Sequence, residues 1–134
     1  MNIIDNIINH LELLGYKVEK NKNEKGKIYA YAEQDDDNLI FITETSSNFI
    51  LFSVSFHTEK QPTLEMNTFS NRINKMLLLS KIYLDKTKDN NVKLVFEAVY
   101  TGDYIKENFG KFYNLFKNEL NKVSSDEETA ILFT

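Results

Sequence analysis

Phe49-Ile50-Leu51-Phe52-Ser53-Val54-Ser55-Phe56-His57-Thr58 is the stretch on which the fold turns. Ile50, Phe52, Val54 and Phe56 occupy every second position, with Ser53 and Ser55 between them. Successive side chains of a strand point to opposite faces, so this is the pattern of a sheet with one face on a core. Reading backwards, Ser46-Ser47-Asn48 and Gln34-Asp35-Asp36-Asp37-Asn38 are turn chemistry, because Asp, Asn and Ser side chains satisfy nearby backbone groups. They separate strands predicted at Leu39 to Glu44 and Ile28 to Glu33, with a weaker signal for a short strand at Tyr16-Lys17-Val18-Glu19. No proline interrupts the chain between Tyr16 and Gln61. A three-stranded antiparallel meander is expected, or four strands if the weak one forms.

Helices are predicted on either side. Ile3, Ile4, Ile7, Ile8, Leu11 and Leu14 recur with helical period, and Gly15 suits the left-handed residue that ends a helix. Beyond the meander, Pro62 closes the sheet region, and Phe69, Ile73, Met76 and Leu77 predict a second helix, from Leu64 or Asn67 to Leu78. Leu79 to Asp85 and Val92 to Thr101 then read as a hairpin about the polar turn Lys86 to Asn91. Asp103 is the expected N-cap of a last helix whose stripe is Ile105, Phe109, Phe112, Phe116, Leu120 and Val123. Ser124 to Glu128 reads as a polar linker, and residues 124–134 as a flexible tail carrying the apolar Ile131, Leu132 and Phe133. The fold class is α+β in the order α-βββ-α-ββ-α, a twisted antiparallel sheet flanked by helices, with residues 1–134 as one domain.

Composition narrows the function. The 134 residues are 42% hydrophobic and 27% charged, which suits a globular domain with its own core. There is no cysteine, so disulfides and thiolate metal sites are excluded. The net charge is -4 with a single arginine, Arg72, so the basic footprint of a nucleic-acid binder is missing. Lys20, Lys22, Lys25 and Lys27 are interleaved with Glu24 and preceded by Glu19, and read as a solvated turn. Residues 1–5 lack a basic segment ahead of an apolar run, and no run approaches the ~20 apolar residues of a membrane span. A cytoplasmic location with no membrane partner is expected.

Catalytic chemistry finds no constellation. Two histidines, His10 and His57, stand alone in sequence, which favours neither a nucleophilic triad nor a zinc site. Asp35, Asp36 and Asp37 could offer oxygens to a hard cation, but the run lacks the glycine and terminal glutamate of a calcium loop, and a hairpin turn is the better reading. Four glycines form neither a dinucleotide nor a P-loop spacing. No enzyme activity and no cofactor are expected. Ten Phe and seven Tyr leave apolar surface to explain. The Phe109, Phe112, Phe116 stripe reads first as core, its edges and the Ile131-Leu132-Phe133 tail as contact surface.

The element order is similar to that of the YbjN family and of the related type III secretion chaperone-like fold. The similarity is best over Phe69 to Phe116: Asn71-Arg72-Ile73-Asn74 on a helix, the hairpin from Leu79 to Tyr100, and Gly102-Asp103-Tyr104 opening an amphipathic helix. The resemblance implies a helix-flanked sheet, often dimeric, that binds proteins and carries no catalytic constellation. A protein-binding domain of chaperone-like or regulatory type is therefore expected, with Asn71, Arg72, Asn74, Ile131, Leu132 and Phe133 as candidate contacts. Its partner would be a client protein, with a homodimer through the second helix or a strand edge as one arrangement. The alternative is an immunity or antitoxin protein whose Asp35, Asp36 and Asp37 face a basic toxin.

Overall fold

Asn2 starts the first helix by accepting from the backbone N–H groups of Ile4 and Asp5, two of the donors that a helix N-terminus leaves unpaired. A computed structural model of the chain describes residues 2–35, 37–46 and 49–133, so Asp36 and the turn residues Ser47 and Asn48 lie outside the described residues. The elements run α1 (Ile3–Leu13), β1 (Lys17–Lys22), β2 (Ile28–Glu33), β3 (Ile40–Ser46), β4 (Phe49–His57), α2 (Leu64–Asn74), β5 (Lys81–Lys86), β6 (Val92–Thr101), α3 (Lys106–Ser124) and α4 (Glu127–Leu132). The strands form one six-stranded sheet in the order β1-β2-β3-β4-β6-β5, leaving β1 and β5 as its edges. The class is α+β, as expected. Contacts divide the chain into two compact units, Met1–Val54 with Val99–Tyr113, and Ser55–Ala98 with Asn114–Thr134.

In the first unit, Ile4, Ile7 and Leu11 of α1 are buried, together with Ala30, Ala32, Ile40, Ile42, Ile50 and Phe52. Helix α1 ends in a Schellman motif: Tyr16 N–H bonds the Leu11 carbonyl and Gly15 N–H that of Glu12, with Gly15 at φ +97°. The motif turns the chain away one residue before the expected stripe is complete. Leu14, counted on that stripe, is consequently 49% exposed. The ring of Phe109 is the centre of the aromatic core, within 6 Å of His10, Phe52, Tyr100, Phe112 and Tyr113. Tyr113 donates to the Tyr16 hydroxyl, and burial holds the Tyr113 phenol far above its ordinary pKa.

In the second unit, Met66, Phe69, Ile73, Ile82, Leu94, Phe96, Phe116, Leu120, Val123 and Phe133 are buried. Thr63 caps α2 by accepting from Met66 N–H, just after Pro62. The helix ends at Asn74, although the apolar spacing continues to Leu77. The physical reason lies 40 residues away. The carboxylate of Glu119, 1% exposed, accepts from the backbone N–H groups of Leu78, Leu79 and Ser80, which a longer helix would have pointed elsewhere.

Three further differences from the sequence reading have simple causes. Strand β1 is six residues long, because an edge strand need not alternate apolar with polar residues. Asp103 does not cap α3, which begins at Lys106; the Asp103 carbonyl instead accepts from the Tyr100 hydroxyl. Residues 127–132 of the expected flexible tail form helix α4, capped by Asp126, and Phe133 is 4% exposed with its ring 5.6 Å from that of Phe69.

Candidate functional site

The titratable groups singled out by sequence are dispersed. His10 sits on α1 with Nδ1 2.7 Å from the Tyr104 hydroxyl and its ring edge-on to Phe109. Burial, and secondarily the charge of Lys106, lower its pKa below the ordinary value of 6.5. Its folded state therefore prefers the neutral ring, and stability present above about pH 6.5 is lost as the pH falls through the lowered folded value. The urea midpoint of the wild-type chain is expected to drop across this window by more than that of a His10→Gln variant; equal drops would assign the acid sensitivity to other groups. His57 is exposed at the end of β4. Asp35 adopts φ 45°, and Asp37 N–H donates to the Gln34 carbonyl, which is the geometry of a tight turn. Among the described residues, no group of three or more His, Asp or Glu is placed to hold a metal ion.

The candidate contact residues are engaged within their own unit to different degrees. Arg72 bridges Asp126 at 3.0 Å and Glu128 at 2.9 Å, tying α2 to the start of α4. The Asn74 side chain donates to the Ile82 carbonyl and accepts from Ile82 N–H, at 2.9 and 2.8 Å. Asn71 and Ile131 are exposed, Leu132 is half-buried, and Phe133 packs inward.

A different surface stands out in the first unit. Residues alternate along β2 so that the small Ala30 and Ala32 are fully buried, while Tyr29 and Tyr31 point to the opposite face. Cross-strand pairing sets Phe41 opposite Tyr31 and Thr43 opposite Tyr29. The three rings form a cluster with centroids 5.1 to 6.0 Å apart. Tyr31 is 38% exposed and Leu39 49%, so the cluster is reachable from outside. Beside it lies a cleft of about 330 Å³ lined by Lys17, Glu19, Tyr31, Glu33 and Leu39. The sequence reading missed these residues. Their signal was present in Ile28 to Glu33, where the larger residues alternate with alanines, but a hydropathy rule assigns the larger ones to the core.

The two sheet edges differ. Antiparallel pairs alternate between bonded and outward-facing residues. At β5, the Thr87 N–H to Asn91 carbonyl bond sets the phase, so Ile82, Leu84 and Lys86 turn their backbone groups outward. Asn74 saturates Ile82, Asp85 takes the N–H of Lys86, and Glu119 takes that of Ser80 just ahead of the strand. At β1, the Asn23 N–H to Lys27 carbonyl bond sets the phase, and Val18, Lys20 and Lys22 face outward. Among the described residues no side chain closes these groups. Lys20 bonds Asp5 through its ammonium at 2.6 Å, which leaves its backbone free to pair.

Comparison with known proteins concerns the fold. No family model matches the chain, and no curated protein matches it. Among solved structures it is similar to YbjN from E. coli, described provisionally as a transcription regulator, with a TM-score of 0.68 and 21% identity over 89% of this chain and 86% of that one. The fold is thus YbjN-like.

Proposed function

We propose that this chain is a non-enzymatic protein-binding domain that takes an extended segment of its partner along the β1 edge. The observation that carries the reading is the contrast between the edges: at β5 side chains occupy both outward groups of Ile82 and the N–H of Lys86, leaving Leu84 between them, while at β1 Val18, Lys20 and Lys22 all leave theirs open beside an exposed aromatic cluster. An added strand gains main-chain hydrogen bonds from such an edge, and alternate side chains reach the neighbouring pockets. Tyr29, Tyr31 and Phe41 lie on the face that those side chains would cross. The net charge of -4 argues for a protein over a nucleic acid as the partner. A regulatory description, as given provisionally to the E. coli neighbour, accords with a role exerted by binding.

Selection of random peptides displayed on phage, followed by amide hydrogen exchange on the complexes, tests this. Selected peptides should slow exchange at Val18, Lys20 and Lys22, leaving Glu19 and Asn21, already bonded to β2, little changed. Tyr31→Ser with Phe41→Ser should weaken them by about ten-fold or more, as for an aromatic anchor. Peptides whose protection maps away from β1, or a library from which nothing is enriched, would overturn the reading.

A further inference from the structure

The cleft beside Tyr31 carries more information than an apolar patch would. On the face shared with the aromatic cluster, Glu19 stands directly across from Tyr31, and Lys17 across from Glu33. Glu33 follows Tyr31 by two residues on β2, so the two glutamates are diagonal neighbours of the strand pair, and Tyr31 and Lys17 each adjoin both of them. Among the described residues, the side chains of Glu19, Glu33 and Lys17 make no hydrogen bond or ion pair, although their backbones pair within the sheet. The lining thus holds two uncommitted anions, one cation, an exposed aromatic ring and the apolar side chain of Leu39.

We infer that this cleft is a specificity pocket for an arginine side chain of the partner. A guanidinium is planar, stacks on an aromatic face, and donates to two carboxylates at once, which matches a tyrosine ring adjoined by one glutamate across the strands and another along its own strand. The methylenes of the arginine would lie against Leu39. A lysine ammonium is a compact, strongly hydrated point charge and lacks the planar fork that lies flat on the ring while its edges meet the acids. The inference deepens the proposed function and rests on it for the source of the arginine: a strand added outside β1 would set one of its residues next to Glu19, within reach of the cleft. Lys17 then acts as a competitor, because it offers Glu33 a cation from the same sheet face.

The test uses the full chain, isotope-labelled, and a short peptide alternating threonine and valine with one central arginine. Its counterpart carries citrulline, which has the same shape and no charge. The arginine peptide should bind about ten-fold more tightly, shifting the Tyr31 ring and Leu39 methyl resonances. Glu19→Gln with Glu33→Gln should erase the preference, while Lys17→Gln should widen it by about three-fold. If both peptides protect the β1 amides with equal affinity, the arginine pocket is wrong and strand addition stands. If the arginine peptide shifts Tyr31 without protecting those amides, the pocket is supported and strand addition falls. If neither peptide produces either response, both are overturned.

Discussion

Replacing Glu119 by alanine should cost about 3 kcal/mol of stability, because a buried backbone donor stranded without an acceptor, as at Ser80, loses roughly 1–3 kcal/mol and the part-buried donors of Leu78 and Leu79 lose less, offset in part by no longer burying a charge. Leu78, Leu79 and Ser80 all donate to this carboxylate, with the shortest contact 2.6 Å, and Glu119 itself is almost fully enclosed on α3. For a chain of this size the melting temperature should fall by roughly 10 °C. Glu119→Gln should cost less, since one amide oxygen still accepts while the amide nitrogen confronts the remaining donors. Hydrogen exchange gives the local signature, namely lost protection at residues 78–80 ahead of the rest of the unit. A Glu119→Ala protein within about 0.5 kcal/mol of wild type would show that the carboxylate does not hold this loop.

The same residue marks where sequence reasoning reaches its limit. Strands β2 and β6 have the expected boundaries, Ile28 to Glu33 and Val92 to Thr101, because their alternation is local and each is bounded by turn chemistry. The end of α2 was not legible. The spacing of Ile73, Met76 and Leu77 is helical, and only a carboxylate from a distant helix explains why the chain leaves that path at Asn74. Strand β1 was legible only in part, since KVEKNK shows no apolar alternation and is recognised as a strand by its pairing with β2.

The candidate site was less legible still. Glu19 and Tyr31 are twelve positions apart in sequence and become neighbours through the β1–β2 register, which is set by a five-residue turn. In that turn the Asn23 side chain accepts from Lys25 and Lys27 N–H, and Gly26 takes φ +80°. Which edge is open could not be read from composition either. Asn74 reads as a surface residue of α2, yet its amide fits the N–H and carbonyl of Ile82 and occupies that position of the β5 edge. Hydrogen-bonding side chains of this kind show their role only when the strand they cover is placed.

Phe109→Ala should destabilise the chain by about 3–5 kcal/mol, the range for emptying a fully buried aromatic site. Phe109 is 0% exposed, and its ring is in contact distance of rings from α1, β4, β6 and its own helix. Stability alone would not distinguish a packing centre from any other core residue, so the informative reading comes from His10. Its ring lies 4.8 Å from that of Phe109, and burial is the main cause of its lowered pKa. A milder Phe109→Leu variant, which keeps most of the apolar volume, should stay folded while admitting water to the His10 edge. The His10 resonances, followed by proton NMR against pH, should then titrate closer to the ordinary value of 6.5 than in wild type. An unchanged titration in a folded Phe109→Leu protein would mean that other neighbours desolvate His10. In that case the positive charge of Lys106, which also lowers the pKa, would be the next group to remove.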